Sequence, residues 1–139
     1  MTPQKQLLRH DPDNGVYGDC FRTTLACLLD LAPAEVPHFM DGAVSDATGV
    51  DAANAWLAKR RMMLICFPFD CGLDLLFATM AKLNPGVHYL LTGESRSGVN
   101  HCVVCRDDRI VWDPSLTDAG IVGPTSEGHY WINVLAVLQ

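Results

Sequence analysis

The sequence predicts a single α+β domain over residues 1–139, with a helix packed on a small antiparallel sheet. The length of 139 residues is close to that of one average domain. Hydrophobic residues make up 49% of the chain and charged residues 19%, a balance typical of a chain that folds around one core. Apolar residues at helical spacing alternate along the chain with short apolar runs bounded by Gly and Pro. Both helices and strands are therefore expected.

Three helices are predicted from the spacing of apolar residues. The first begins at Cys20, runs for about eleven residues and has Asp19 as its N-cap. The polar, turn-rich segment before it is expected to be a loop, and so is 34–50, apart from a short helical turn. The other two helices are expected over 51–61 and 73–83.

Four strands are predicted from short apolar runs. They cover 62–67, which Pro68 ends, 87–92, 99–106 and 109–112. The last two flank a tight turn at Asp107-Asp108 and are expected to form a hairpin. A further apolar segment, 130–138, fits a strand or a helix.

Charge and hydropathy argue against several functions. The net charge is −6 and only ten residues are Lys or Arg, so nucleic acid is not an expected partner. No apolar stretch reaches the about 18 residues of a membrane span, and the first residues lack the apolar segment of a secretory signal. A cytoplasmic location with free thiols is therefore expected. Cys102 and Cys105 form a C-x-x-C motif, but strand alternation points them to opposite faces, so neither a metal nor a cofactor is expected.

Three residues form a candidate catalytic set. Cys20 lies in the first turn of a helix, where unpaired N–H groups and the helix dipole favour a thiolate over a thiol. His101 begins a strand after a Gly-bounded loop and is the candidate base that exchanges a proton with Cys20. Asp113 ends the neighbouring strand and is the candidate that orients the imidazole.

The hairpin provides a test of this set. A two-residue turn at Asp107-Asp108 alone would send the side chains of His101 and Asp113 to opposite faces. An odd-length turn, or a bulge near 106–109, would set them opposite each other on one face. The proposed chemistry therefore predicts the odd turn or the bulge.

Polar residues near the catalytic set are candidates for binding. The Cys20 backbone N–H and the side-chain amide of Asn14 are the expected donors to the oxyanion of a tetrahedral intermediate. Arg96, on the loop before His101, is either a clamp for a substrate carboxylate or a solvated charge. Ser95 beside it is a second candidate for substrate binding.

Several motifs together resemble those of the papain-like cysteine peptidases, and within them the small bacteriocin-processing peptidase domains. The motifs are Asn14-x5-Cys20, His101-Cys102-Val103-Val104 and Val111-Trp112-Asp113-Pro114. The segments Gly18-Asp19-Cys20-Phe21-Arg22, Val36-Pro37-His38-Phe39 and Gly93-Glu94-Ser95-Arg96-Ser97-Gly98 are similar to segments of small, uncharacterised phage and bacterial proteins. Asn14 departs from the family, which has Gln at this position.

The resemblance implies a papain-like fold and a cysteine hydrolase that cleaves a peptide, amide or isopeptide bond in a protein or peptide substrate. Cys20, His101 and Asp113 match the family's Cys-His-Asp triad, which works through an acyl-enzyme. Two other functions stay open at this point. One is an acyltransferase on the same fold, and the other is a non-enzymatic binding module, such as a phage-encoded inhibitor of a host protein.

Overall fold

Three helices and five strands form the α+β fold of the computed structural model, which describes residues 1–42 and 44–139. The helices are α1 (Cys20–Leu29), α2 (Asp46–Ala58) and α3 (Leu73–Leu83). The strands are β1 (Met62–Phe69), β2 (His88–Glu94), β3 (Asn100–Arg106), β4 (Arg109–Trp112) and β5 (Tyr130–Val137). All strand pairs are antiparallel and the order in the sheet is β1-β5-β2-β3-β4. The predicted α+β class, with an antiparallel sheet, is confirmed.

The sheet separates two hydrophobic cores. Cys102 and Val104 of β3 pack with α1 and α2 on one face, whereas Val103 and Cys105 pack with α3 on the other. This alternation follows from the period of two along a strand. It confirms that the two cysteines of the C-x-x-C motif point in opposite directions, and all six cysteines of the described residues are free thiols.

Helix boundaries follow local capping signals. α1 begins at Cys20 as predicted and ends at Leu29, because Asp30 adopts a left-handed conformation with φ 57°. α2 begins at Asp46, five residues before the predicted start at Asp51. Its cap is Ser45, whose side chain accepts a hydrogen bond from the Thr48 N–H at 3.2 Å. The prediction of a loop up to residue 50 was therefore wrong.

Strand boundaries depend on pairing. β1 continues beyond the predicted stop at Pro68, which lies opposite Trp131 of β5. A proline is tolerated there because β1 is at the edge of the sheet and pairs with β5 alone. The apolar segment with two possible assignments is β5, which pairs with β1 on one side and β2 on the other. No helix in residues 1–42 and 44–139 has the length and apolar character required to cross a membrane.

Candidate active site

Cys20 is the first residue of α1, and its half-buried side chain lines a cleft. The helix is fixed against β3 by a contact of 3.3 Å between Thr24 Oγ1 and Cys102 Sγ. At the start of α1, the Thr23 N–H donates to the Asp19 carbonyl at 3.0 Å. The N–H groups before Thr23 have no carbonyl partner within the helix, so that of Cys20 is available to a bound group.

Asp19 occupies the N-cap position, but its carboxylate does not cap α1 as predicted. Its backbone, at φ −109° and ψ 29°, is not in the extended conformation usual at an N-cap. The fully buried carboxylate instead accepts the Leu8 N–H at 2.9 Å and the Arg22 Nε–H at 2.9 Å. Asp19 therefore ties the N-terminal segment to the helix that carries Cys20.

His101 lies near the start of β3 with only 6% of its surface exposed. Its Nε2 is 2.7 Å from Asp113 Oδ1. The Asp113 carboxylate also accepts the N–H of Ser115 and the N–H of Gly120, each at 2.8 Å. Three donors therefore hold this carboxylate, which in turn fixes the plane of the imidazole.

The hairpin that joins these two residues contains the expected irregularity, although at another place. The turn is the two-residue Asp107-Asp108, and the register shifts between Val104, which pairs with Trp112, and Cys105, which pairs with Ile110. The extra residue is therefore Val111, outside the predicted 106–109 segment. The bulge restores a common face for His101 and Asp113. The two are diagonal neighbours across the hairpin, and not directly opposite as expected.

The protonation of the pair follows from these contacts. Burial of the ring lowers the pKa of His101, but hydrogen bonds to Asp113 and Cys20 and their charges outweigh burial and raise this pKa to about 9. Burial raises the pKa of Asp113, but the hydrogen bonds from His101, Ser115 and Gly120 hold it well below its usual range. The ring is therefore protonated and the carboxylate ionised at neutral pH.

The structure brings Cys20, His101 and Asp113 together. Cys20 and His101 line the same cleft, and Cys20 contributes to the raised pKa of His101. Because Nε2 is bonded to Asp113, Nδ1 is the ring nitrogen left for the thiol. The set can exchange a proton between sulfur and imidazole while the carboxylate stabilises the charged ring.

The structure does not bring Asn14 to Cys20. Asn14 ends a short 3-10 helix, Pro12–Asn14, and its exposed amide donates to Asp11 Oδ2 at 2.8 Å. This short range contact keeps the amide in its own turn. The side chain lines neither of the pockets that contain Cys20.

The two residues predicted to bind substrate support the loops around the site. Arg96 Nη1 donates to the Asp118 carbonyl at 2.6 Å, and the guanidinium lies against Gly120. Ser95 is buried, and its hydroxyl donates to the Val99 carbonyl at 2.9 Å. Ser95 also lines a second pocket of about 310 Å³ that contains Cys20, whereas Arg96 lines neither pocket. These contacts hold the loop that follows β2 and the loop that donates to Asp113.

A cleft of about 790 Å³ opens beside Cys20 and His101. Its floor is a face of the sheet, with Thr92 of β2, Cys66 of β1 and Trp131 of β5, and α2 and the loop before β5 also contribute to its lining. The volume is in the range of sites that bind small molecules.

His10 is a candidate site residue to which the sequence analysis assigns no role. It lines both pockets that contain Cys20. The Gly18 N–H donates to His10 Nδ1 at 3.2 Å, and a Cβ on Gly18 would lie 3.1 Å from the His10 Cβ. A ring that accepts at Nδ1 carries its proton at Nε2, so His10 presents a donor. The Gly two residues before Cys20 is the only sequence signal, because a close backbone approach often requires Gly.

The chain matches no protein-family model, no curated protein and no solved structure. The chemistry of the site is therefore argued from its own geometry.

Proposed function

We propose that the protein is a cysteine hydrolase that cleaves an amide bond, in a peptide or an isopeptide linkage, through an acyl-enzyme. The observation that carries the proposal is the assembly of Cys20 at a helix N-terminus with a buried His101 that is paired to Asp113. A thiol at this place is favoured as a nucleophile by the unpaired N–H groups and by a base within reach.

The first half of the reaction forms the acyl-enzyme. The Cys20 proton resides on His101, so the sulfur attacks the carbonyl carbon as a thiolate beside the imidazolium and forms a C–S bond. The Cys20 N–H and His10 Nε2–H donate to the oxyanion, with His10 in place of Asn14. The C–N bond then breaks, and the leaving amine takes the proton from His101.

The second half of the reaction hydrolyses the acyl-enzyme and releases the carboxylic acid product. Water attacks the thioester carbonyl and gives a proton to His101, the tetrahedral intermediate collapses, and the C–S bond breaks. The sulfur leaves as a thiolate, and the ring keeps the proton it took from water, so the starting state is restored. The Asp113 carboxylate stays ionised throughout and stabilises the imidazolium, as its three hydrogen bonds favour.

The fold and the location are part of the same proposal. The papain-like peptidases that the motifs resemble have the same arrangement, with a nucleophile at the start of a helix and a histidine and an aspartate supplied by an antiparallel sheet. We place the protein in the cytoplasm, where six free thiols remain reduced.

Alkylation and hydrolysis test the proposal. Iodoacetamide at neutral pH should label Cys20 first, and Cys20→Ala should abolish both this fast labelling and hydrolysis of peptide amides. Cys66→Ala is the matched control, since Cys66 lines the same cleft. Its pKa is raised by burial and, to a smaller extent, by the charge of Asp51. Fast labelling or hydrolysis that persists in Cys20→Ala would contradict the proposal. Transfer of the acyl group to an added amine in preference to water would identify an acyltransferase.

A further inference from the structure

The cleft beside Cys20 is lined by carboxylates. Asp46 and Asp51 line it from α2, Glu94 from the end of β2, and Glu127 from the loop before β5. Among residues 1–42 and 44–139, no Lys or Arg lines this cleft. In the same part of the chain, none of the four carboxylates forms an ion pair with Lys or Arg, although Glu127 Oε2 lies 3.4 Å from His129 Nε2. The cleft therefore carries an excess of negative charge.

A buried amide on the floor of the cleft points independently to a ligand. Asn133 is only 3% exposed and lines the cleft from β5, where it pairs with Cys66 and with the fully buried Leu90. Within the described ranges, no hydrogen bond joins its side chain to another residue, and its amide atoms are not among the fully enclosed polar atoms, so they are accessible from the cleft. Buried amides ordinarily have a hydrogen-bond partner, and an amide without one in a cleft is available to a bound group.

Trp131 adds an aromatic ring to the same floor, two residues before Asn133 on β5. Its indole N–H is buried and has no hydrogen-bond partner in the part of the chain that the structure describes. Aromatic rings attract ammonium and guanidinium groups, and tryptophan does so most strongly. Carboxylates, an amide oxygen and an indole ring together suit a cationic group.

We propose that this part of the cleft binds an ammonium or guanidinium group of the substrate. The inference deepens the proposed function, on which it rests, because it assigns to Cys20 a substrate with a basic side chain near the scissile bond. The Asn133 amide oxygen accepts from the cation, and Asp46 and Glu127 supply the attraction.

The relation between Asp46 and Glu127 supports this site. Burial raises the pKa of Asp46, and the charge of Glu127 raises it further, so the two carboxylates are close enough to repel each other. A cation between them would relieve this repulsion. The protonated His101 lines the cleft together with Cys20, and His129 Nε2 lies 3.4 Å from Glu127.

Alkylation by reagents of different charge tests the site. Cys20 displaces halide from iodoacetate, iodoacetamide and 2-bromoethylammonium to form a C–S bond, and each rate is divided by the rate of the same reagent with a neutral cysteine amide. We expect the normalised rate of the cationic reagent to exceed that of the anionic reagent by about tenfold at low salt, because the carboxylates attract one and repel the other. The preference should shrink in 0.5 M NaCl, because salt at this concentration screens interactions between exposed charges that are more than about 5 Å apart.

Variants that remove one negative charge show which carboxylates cause the preference for the cationic reagent. Asp46→Asn and Glu127→Gln should each lower the preference, whereas Asp74→Asn, on α3 at the other face of the sheet, removes the same charge and should leave it unchanged. A preference that is absent in the wild type, or equal in all variants, would overturn the cation site. Failure of the neutral reagent to alkylate Cys20 would contradict the proposed function instead.

Ligand binding to the Cys20→Ala variant gives a readout that does not depend on catalysis. N-acetyl-lysine methylamide should produce a saturable change in tryptophan fluorescence that Trp131→Phe removes. The uncharged norleucine analogue and the glutamate analogue should produce a much weaker change, or none. An equal response to all three amides would refute the cation site, whatever the result of the alkylation.

Discussion

Replacement of Asp113 by Asn should lower the pKa of His101 from about 9 towards its ordinary value of 6.5. The carboxylate supplies the strongest of the contributions that raise this pKa, and the amide keeps the shape of the side chain without the charge. The difference between the two pKa values corresponds to about 3 kcal/mol of stabilisation of the imidazolium, to which the hydrogen bond to Asp113 is the strongest single favourable contribution.

The same contact predicts a dependence of stability on pH. Because the pKa of His101 is raised in the folded state, its contribution is fully present below pH 6.5 and is lost as the pH rises through about 9. The free energy of unfolding should therefore fall by about 3 kcal/mol over this range in the wild type. In Asp113→Asn the fall should be much smaller.

Urea unfolding at several pH values and NMR titration of the histidine ring protons measure the two effects. Asp118→Asn is the matched control, since Asp118 is an exposed carboxylate on the same loop and pairs with Lys5 at 3.5 Å. It removes the same charge and should leave both the pKa of His101 and the dependence of stability on pH unchanged. An equal fall in stability in Asp113→Asn and the wild type, or a wild-type His101 that titrates near 6.5, would refute the reasoning.

Three further substitutions test other contacts. Asp19→Ala should lower the free energy of unfolding by about 3–5 kcal/mol, because it leaves the Arg22 guanidinium buried without its carboxylate; denaturation by urea measures this, and a loss near zero would contradict the role of the buried pair. His10→Ala should reduce kcat about 10- to 100-fold with little change in KM. His10→Gln keeps an N–H donor and should recover part of the loss. An unchanged kcat would contradict the role of His10 as an oxyanion donor. Ser45→Ala should cost about 1 kcal/mol of stability and Ser45→Asp much less, since only the latter keeps a cap for α2; equal losses in a thermal melt would argue against the cap.

The parts of the fold that sequence analysis predicts well are those with local causes. α3 has the predicted bounds, Leu73–Leu83, because its apolar residues follow a helical spacing. The start of α2 escaped prediction because Gly49 in its second turn weakens the helical pattern. In the structure a Cβ at this position would overlap the end of the Met40 side chain, which would have to move, and would lie 3.2 Å from the Phe39 carbonyl oxygen.

The residues of the candidate site also differ in whether local or long-range contacts determine their positions. Cys20 is recognisable because the start of α1 is set by nearby residues, and the pairing of His101 with Asp113 follows from one hairpin. The position of His10 depends on a long-range path, in which the Gln6 N–H donates to the Pro114 carbonyl at 3.0 Å and Asp19 holds the segment from the other side. No local pattern encodes such a path, so only the folded chain shows that His10 reaches the cleft.

The proline in β1 has a consequence for how the protein behaves at high concentration. The ladder with β5 continues past Pro68, so the missing N–H falls on the free edge of the sheet. A strand from another molecule would find one donor fewer along that edge. The opposite edge, β4, has only four residues and offers little length for such pairing. Both borders of the sheet are thus poor templates for self-association into aggregates.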